Sequence, residues 1–276
     1  MKKFKKHSAK MNITHYGVLV RRQFRQIYSN AKLFTSLLLQ APVMLFIALI
    51  VYNEDTFKDG YVSLFDASTI IFVLVFVSAL MGILNSYNAI CNERPILTRE
   101  VFGGLDVTGY VLAKFTVLAL VGLAQCVILS AGALLAIDFP FTYPFVGVLQ
   151  FFLALYLTNV SVAAMGLLIS SVLKNAGSAI LPVLVIIIMQ VVFSEAVFPI
   201  EGVVRNLCYI TSTMWGVSLI GQSCLLNDYW VTYTGEIYKE IYDYSPVVSI
   251  AVLLALAALC LFLAIVKLKR DYKNKD

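Results

Sequence analysis

The sequence predicts an all-α integral membrane protein with six transmembrane helices, and three observations lead to that prediction. Its 276 residues are 60% hydrophobic and 13% charged, whereas soluble domains carry about 25% charged residues. Six apolar segments each reach the roughly 20 residues that cross a bilayer. Lys and Arg residues concentrate at the two chain ends and in alternate connections, as expected of a chain that crosses a membrane repeatedly. We expect one domain over residues 1–276.

The first 32 residues (1–32) form a basic cytoplasmic segment that contains no acidic residue. Arg21, Arg22 and Arg25 alternate there with apolar residues at near-helical spacing, which predicts an interfacial connecting helix that leads into the membrane. A nucleic-acid-binding arm is the competing interpretation of such a charge run. Because anionic headgroups are the nearer partner directly before a span, we expect membrane lipids and no nucleic acid as partners.

The six-span core is predicted over residues 33–266, followed by a basic cytoplasmic tail at 267–276. The predicted spans are 33–52, 67–87, 111–137, 145–173, 179–198 and 247–266. The stretch 210–226 is also apolar, but small polar residues interrupt it. We therefore expect a re-entrant or surface-lying external element there, before the sixth span. It lies in a long, acidic and aromatic loop over 195–246.

The charge distribution predicts the orientation. All of the 21 Lys and Arg residues except Lys58, Arg205 and Lys239 fall on the side of the two chain ends. Because cytoplasmic segments carry the excess of Lys and Arg, both termini are predicted to be cytoplasmic, in a plasma or inner cell membrane. A seventh span would move the basic C-terminal cluster to the side of the acidic loops, so the charges favour six.

The connection between the second and third spans, residues 91–105, alternates charged with apolar residues. The glycine pair at 103–104 stops a helix, and Leu97, Val101 and Leu105 recur every four residues, on one side of it. This pattern predicts a short amphipathic helix at the cytoplasmic membrane face. It either offers its charges to a partner outside the bilayer or is a solvated linker that rests on lipid.

The chemistry of the spans excludes several functions. Both histidines lie in the N-terminal basic segment, and the spans contain no Asp, Glu, Lys or Arg away from their ends. A membrane hydrolase needs a nucleophile with a base, and an ion-coupled transporter usually needs an intramembrane carboxylate. No Cys-x-x-Cys pair indicates a metal site, and no Gly-x-x-x-x-Gly-Lys loop indicates ATP binding. We expect no catalytic residue, metal or cofactor in this chain, so uphill transport would need a separate ATPase.

Two of the five cysteines, Cys208 and Cys224, lie in the predicted external loop. A disulfide between them and two free thiols are both open alternatives, because spacing in a sequence does not establish the geometry of a disulfide. The other three cysteines lie in or beside predicted spans.

The charged connection has the pattern Glu93-Arg94, then Arg99-Glu100, then Gly109-Tyr110 and Ala113-Lys114 at the start of the next span. It resembles the membrane domain of an ABC transporter, specifically of subfamily G: the white/pigment, multidrug and sterol exporters and their bacterial relatives. The run around Arg21-Arg22 resembles the connecting helix of that family. Six spans with a long loop before the sixth also agree with it.

The resemblance implies that two membrane domains pair, as identical or different copies, and that separate ATPase subunits bind ATP and Mg²⁺. It implies that the cytoplasmic helix couples the two parts through Glu93, Arg94, Arg99 and Glu100. The implied substrate cavity lies between the second and fifth spans, at Phe76, Leu80, Asn85, Met189 and Phe193. A hydrophobic valve is implied at Val192 and Phe193. Asn85 either lines this pathway or hydrogen-bonds a neighbouring helix.

We therefore expect the permease subunit of an ATP-driven exporter. The implied cavity has aromatic and aliphatic walls with amides and no fixed charge, which suits an amphipathic or lipophilic substrate such as a lipid, drug or hydrophobic peptide. A non-transporting sensor or scaffold and a passive channel are the alternatives. A response of the partner's ATPase activity to substrate would distinguish the exporter from the scaffold.

Overall fold

The computed structural model describes residues 13–52, 56–57, 64–173, 175–196, 200, 202–227 and 240–273, and every regular element in these ranges is helical. The α-helices are α1 (Ile13–Ser29), α2 (Ala31–Val51), α3 (Leu64–Ser86), α4 (Arg94–Phe102), α5 (Val107–Ala136), α6 (Pro144–Val172), α7 (Ile180–Val192), α8 (Ser212–Ser223) and α9 (Pro246–Lys273). Short 3₁₀ helices cover Cys91–Glu93, Ala176–Ala179, Gly202–Ile210 and Glu240–Tyr242. The aromatic part of the predicted external loop, at 228–239, and the two chain ends lie outside the described residues.

Five helices, α2, α3, α5, α6 and α9, are long and apolar enough to cross a membrane. The predicted fifth span differs, because α7 has only 13 residues and a turn follows it at Phe193. At a rise of 1.5 Å per residue its length is about 20 Å, against a hydrocarbon thickness of about 30 Å. The described residues therefore contain five membrane-length helices and not the predicted six.

Helix α6 is the centre of the bundle and packs against α3, α5, α8 and α9. Between Phe151 and Ser171 its buried residues lie on all sides rather than along one stripe, as expected of a helix surrounded by others. Small residues permit close approach of the backbones. Gly82 on α3 lies against the backbone of Asn159 on α6 with no space for a Cβ atom, and Gly166 on α6 lies equally close to the side chain of Ser86 on α3.

The stretch predicted to be re-entrant or surface-lying contains α8, and every residue of α8 except Gln222 is buried. It packs among α3, α6 and α9. Gln190 of α7 stabilises the first turn of α8, because its Oε1 accepts a hydrogen bond from the backbone N–H of Thr213 at 2.9 Å. The burial excludes the surface-lying alternative for this element.

Helix α1, predicted as the connecting helix, packs against α5. Leu19 is buried, and the hydroxyl of Tyr16 is 2.6 Å from that of Thr116 on α5. Asn30 separates α1 from α2 and caps α2 by accepting a hydrogen bond from the N–H of Leu33 at 3.3 Å. This junction places the polar end of α1 beside the beginning of the first membrane-length helix.

Candidate functional site

The predicted amphipathic helix between the second and third spans is α4, preceded by the 3₁₀ turn Cys91–Glu93. It ends at Gly103, and Gly104 follows with a φ of +98°, a left-handed conformation that glycine adopts without strain. Leu97 is buried, and Val101 and Leu105 pack into the same apolar cluster, which contains residues of α5, α6 and α9. The predicted apolar side of α4 is therefore confirmed.

Glu93 joins the beginning of α4 to α5. Its carboxylate accepts a hydrogen bond from the Tyr110 hydroxyl at 2.7 Å and lies 2.7 Å from Nζ of Lys114. Lys114 and Tyr110 are both buried. Since a buried charge that loses its partner is strongly destabilising, this pair fixes the relative position of the two helices.

Glu100 joins the end of α4 to α1. Its Oε1 is 2.5 Å from Nη1 of Arg22 and its Oε2 is 3.1 Å from Nη2, so the ion pair has two parallel hydrogen bonds. The hydrogen bond to Glu100 raises the pKa of Arg22, which keeps the guanidinium charged. The connecting helix and the predicted coupling helix are thus bonded directly.

Arg94 joins α4 to the ends of α6 and α9. It donates a hydrogen bond to the carbonyl oxygen of Ser171, and its Nη1 lies 3.8 Å from Oδ2 of Asp271. The hydroxyl of Thr98 also lies 3.3 Å from that of Tyr272 on α9. The C-terminal helix is therefore part of the same network.

Arg99 is the only one of the four predicted coupling residues that faces outward. It is exposed, and within the described residues it makes no ion pair. Ile96 and Phe102 lie three residues to either side of it and are 48% and 64% exposed. These three residues, which we call the α4 outer face, form a basic and apolar surface, while Glu93, Arg94 and Glu100 bind within the chain.

The predicted substrate cavity between the second and fifth spans is closed in the single chain. Phe76 and Leu80 of α3 contact Ile186, Ile187 and Gln190 of α7 with no water-sized space between them. Met189 lies on α7 directly before Gln190, whereas Val192 is the last residue of α7 and Phe193 follows it; Val192 is exposed. Asn85 is on another side of α3 and donates a hydrogen bond to Gln125 of α5 at 2.9 Å. The structure therefore does not bring the five predicted residues into one site.

A different space, of about 1070 Å³, lies between α1, α2, α3 and α5 and borders the beginning of α4. We call it the amide cavity, because three glutamines and four asparagines line it: Gln23, Gln26, Gln40, Asn30, Asn85, Asn88 and Asn92. Gln125 braces one wall by donating hydrogen bonds to Gln40 Oε1 at 3.1 Å and to the carbonyl of Leu37 at 2.8 Å. The ion pair of Glu93 with Lys114 also lines it.

On the opposite end of the bundle, Arg205 lies between two acids. Its Nε is 2.9 Å from Oε1 of Glu195 and its Nη1 is 2.6 Å from Oε2 of Glu240. Glu195 is buried and has a φ of +54°, a backbone conformation that is unusual for a residue with a side chain. The pair with Arg205 holds this strained turn directly after α7.

All five cysteines are free thiols, so the alternative of a disulfide between Cys208 and Cys224 is not realised in the structure. Burial raises the pKa of Cys208 to about 11 and that of Cys224 to about 12. Both thiols are therefore protonated and unreactive near neutral pH.

Comparison with known proteins decides the family. The family model described as ABC-2 type transporter matches residues 14–223. The chain belongs to the ABC-2 type transporter family. The match begins in α1 and ends with α8, so this ABC-2 domain contains α4, most of its ion pairs and the whole lining of the amide cavity. ABC-2 chains are membrane components of transport and not enzymes themselves, which agrees with the absence of a catalytic motif from the sequence.

A relative of this ABC-2 chain is the ABC transporter ATP-binding/permease protein Rv1747 of Mycobacterium tuberculosis. The two are 30% identical over 213 residues, which are 73% of this chain and 24% of the relative. The chain thus spans about a quarter of the length of that relative.

Sequence reasoning missed the part of the amide cavity that α1 and α2 provide. Gln23, Gln26 and Asn30 are spaced by three and four residues, so they lie along one side of α1. That spacing was a usable signal. The arginines between these amides dominate the pattern of the segment, so its charge stands out rather than its amides.

Proposed function

We propose that this ABC-2 chain is the permease subunit of an ATP-driven exporter of the subfamily G type, similar to bacterial members, which moves an amphipathic or lipophilic substrate out of the cytoplasm or the inner leaflet. Family membership supports the transport role. The observation that carries the coupling is α4, a short helix bonded to α1, α5 and α9 through Glu100, Glu93 and Arg94. Separate ATPase subunits would bind ATP and Mg²⁺ and supply the energy.

The α4 outer face is the docking surface in this proposal. Ile96 and Phe102 offer apolar contact area and Arg99 offers a cation, a combination typical of the centre of a protein interface. A partner that displaces α4 would move α1 through Glu100–Arg22 and α5 through Glu93–Lys114. Two-bond ion pairs resist shear better than apolar contacts do, because their geometry is directional.

The proposed topology has six crossings with both termini in the cytoplasm. Helix α7 enters the membrane from the cytoplasmic side, and the buried α8 returns part of the way as a re-entrant element. Non-helical backbone at this depth is tolerated because α3, α6 and α9 surround it. The distribution of Lys and Arg supports this orientation.

Two copies, identical or paralogous, would pair through α3 and α7. Leu181, Val185 and Ile188 form an exposed apolar strip along α7 that a second copy or lipid would cover. The substrate cavity would then lie between copies, near Phe76, Leu80, Met189 and Phe193, with Asn85 deeper on α3. Val192 and Phe193 of the two copies would meet as a hydrophobic valve that excludes water until the helices separate.

The test uses the full chain co-purified with its ATPase and reconstituted in nanodiscs. Arg99→Glu reverses the charge at the centre of the α4 outer face, and Arg270→Glu is the control, since Arg270 is an exposed cytoplasmic arginine outside α4. We expect Arg99→Glu to lower the amount of bound ATPase and its turnover about tenfold, and Arg270→Glu to leave both unchanged. If the complex is stable and its ATP turnover changes neither with lipophilic substrates nor with either substitution, the result would support the scaffold instead.

A further inference from the structure

We infer that the amide cavity binds the uncharged, oxygen-rich head group of a membrane amphiphile, whose chain lies in an apolar cleft beside it. The inference concerns binding alone and does not require that the ligand is exported. It rests on the charge balance of the cavity, on one buried amide, and on the adjoining cleft.

The cavity has polar groups but no net charge. Its two charged lining residues, Glu93 and Lys114, are bonded to each other at 2.7 Å. A phosphate or ammonium head group would therefore enter without a free counter-charge, at a high desolvation cost. Amide side chains both donate and accept hydrogen bonds, so they match hydroxyl, ester and glycosidic oxygens. A glycerol or sugar head group satisfies this lining better than an ionic one.

Gln23 carries the strongest indication of a ligand. It lines the cavity and is only 4% exposed, yet its Nε2 group makes no hydrogen bond. An unsatisfied donor in such a position is unfavourable and rare in folded proteins. Nε2 is covered by the protein in this conformation, so an acceptor oxygen of a head group would satisfy it once the Gln23 side chain turns toward the cavity. Neighbouring amides on the same side of α1, Gln26 and Asn30, are exposed to the cavity.

An apolar cleft of about 120 Å³ adjoins the cavity between α1, α2 and α5. Ile27, Leu37 and Val121 line both spaces and form the wall between them. The rest of the cleft is almost entirely aromatic and aliphatic, and includes Phe24 and Phe34. A polar chamber that shares a wall with an apolar cleft fits a molecule with a polar head and a hydrocarbon chain.

The source of the ligand is the membrane rather than the aqueous phase. The cleft and the cavity are bounded by α2, whose apolar residues are mostly exposed and would face lipid. A volume of about 1070 Å³ is at the upper end of ligand pockets, which measure roughly 300–1,000 Å³. It is large enough for a glycerol or disaccharide head group.

The experiment compares two photoreactive probes in nanodiscs that contain the full chain with its co-purified ATPase and no ATP. One probe is a monoacylglycerol with a diazirine in its acyl chain, and the other is the lysophosphatidic acid with the same chain, so they differ only by the phosphate. We expect saturable labelling of α2 and α5 by the monoacylglycerol, and about tenfold less by the phosphate-bearing probe. Non-saturable labelling, or equal labelling by the two probes, would overturn the inference.

Two variants locate the site. Gln23→Leu should lower labelling about fivefold, the value of one hydrogen bond, and it should not lower the melting temperature because the Nε2 group that is lost makes no hydrogen bond to the protein. Gln222→Leu is the matched control, since Gln222 has an unpartnered buried amide oxygen outside the cavity. Ala124→Phe should abolish labelling by filling the cleft, which Ala124 lines at an exposed position. If Gln23→Leu and Gln222→Leu have the same effect, no head group binds at Gln23. Because ATP is absent, failure of the exporter proposal would leave this result unchanged.

Discussion

Glu100 and Arg22 are 78 residues apart in the chain and form a two-bond ion pair, with Oε1 2.5 Å from Nη1 and Oε2 3.1 Å from Nη2. The pair is the direct bond between α4 and α1. Both side chains are partly exposed, at 28% and 37%. Its contribution to stability is therefore small, about 1 kcal/mol or less. In the proposed exporter, its position between two helices at one end of the bundle would let it transmit movement from α4 to α1.

We expect Glu100→Gln to lower substrate-stimulated ATP hydrolysis several-fold while the melting temperature changes little, because in the proposed exporter the pair would transmit movement, although it contributes little stability. The double charge exchange Glu100→Arg with Arg22→Glu should restore much of the stimulation. The measurement is ATPase turnover of the reconstituted complex, with and without substrate, beside thermal unfolding of each variant. A loss of stability without a loss of stimulation would show that the pair is structural only.

The buried pair of Glu93 and Lys114 should behave in the opposite way. Lys114→Met leaves the Glu93 carboxylate, whose side chain is 20% exposed, without its cation, so we expect a loss of about 3 kcal/mol, at the low end for a broken buried pair. The double variant Lys114→Met with Glu93→Gln removes both charges and should recover most of that loss. Thermal unfolding of the detergent-solubilised protein checks both. Equal instability of the single and double variants would mean that packing, and not the unpaired charge, is responsible.

Cys208 and Cys224 should stay unmodified by iodoacetamide at pH 8 in the folded protein. Burial raises the pKa of Cys208 to about 11 and that of Cys224 to about 12. Each folded pKa lies above the usual pKa of a thiol, so at pH 8 at most about one Cys208 thiol in a thousand is ionised, and fewer at Cys224. Mass spectrometry of digested protein measures the alkylation, and denatured protein is the control in which both react. A disulfide-linked peptide containing both residues would contradict the free-thiol structure.

Length and hydropathy were sufficient to predict much of this fold. The predicted first span, 33–52, agrees closely with α2 at Ala31–Val51, and the periodicity of Leu97, Val101 and Leu105 predicted the buried side of α4. These features are local, since they depend on residues within one helix. Helix α7 is the exception, because it ends before a turn at Glu195 whose partner, Arg205, lies outside the predicted span.

Partners of charged and amide side chains could not be predicted in the same way. The resemblance gave Glu100 a coupling role but did not identify its partner, Arg22 of a distant helix, because no sequence spacing relates two residues that far apart. Asn85 was predicted to line a cavity shared with the fifth span. The other alternative open for Asn85 was a hydrogen bond to a neighbouring helix, and this one is realised, since Asn85 donates to Gln125 of α5 and also lines the amide cavity.

The Glu195–Arg205–Glu240 arrangement supports a last prediction about the end of α7. Glu195 is buried, whereas Glu240 is 60% exposed at its side chain, so the two acids should contribute unequally although Arg205 contacts both. We expect Arg205→Ala to cost about 2 kcal/mol, because it leaves the Glu195 carboxylate buried without its charged partner. Glu240→Gln should cost less than about 0.5 kcal/mol, since water replaces an exposed partner readily. Thermal unfolding gives the two free energies, and hydrogen exchange over Gly202–Ile210 should be faster in Arg205→Ala only. Equal effects of the two substitutions would show that Glu195 keeps its strained turn without Arg205. Packing alone would then explain why α7 ends at Val192.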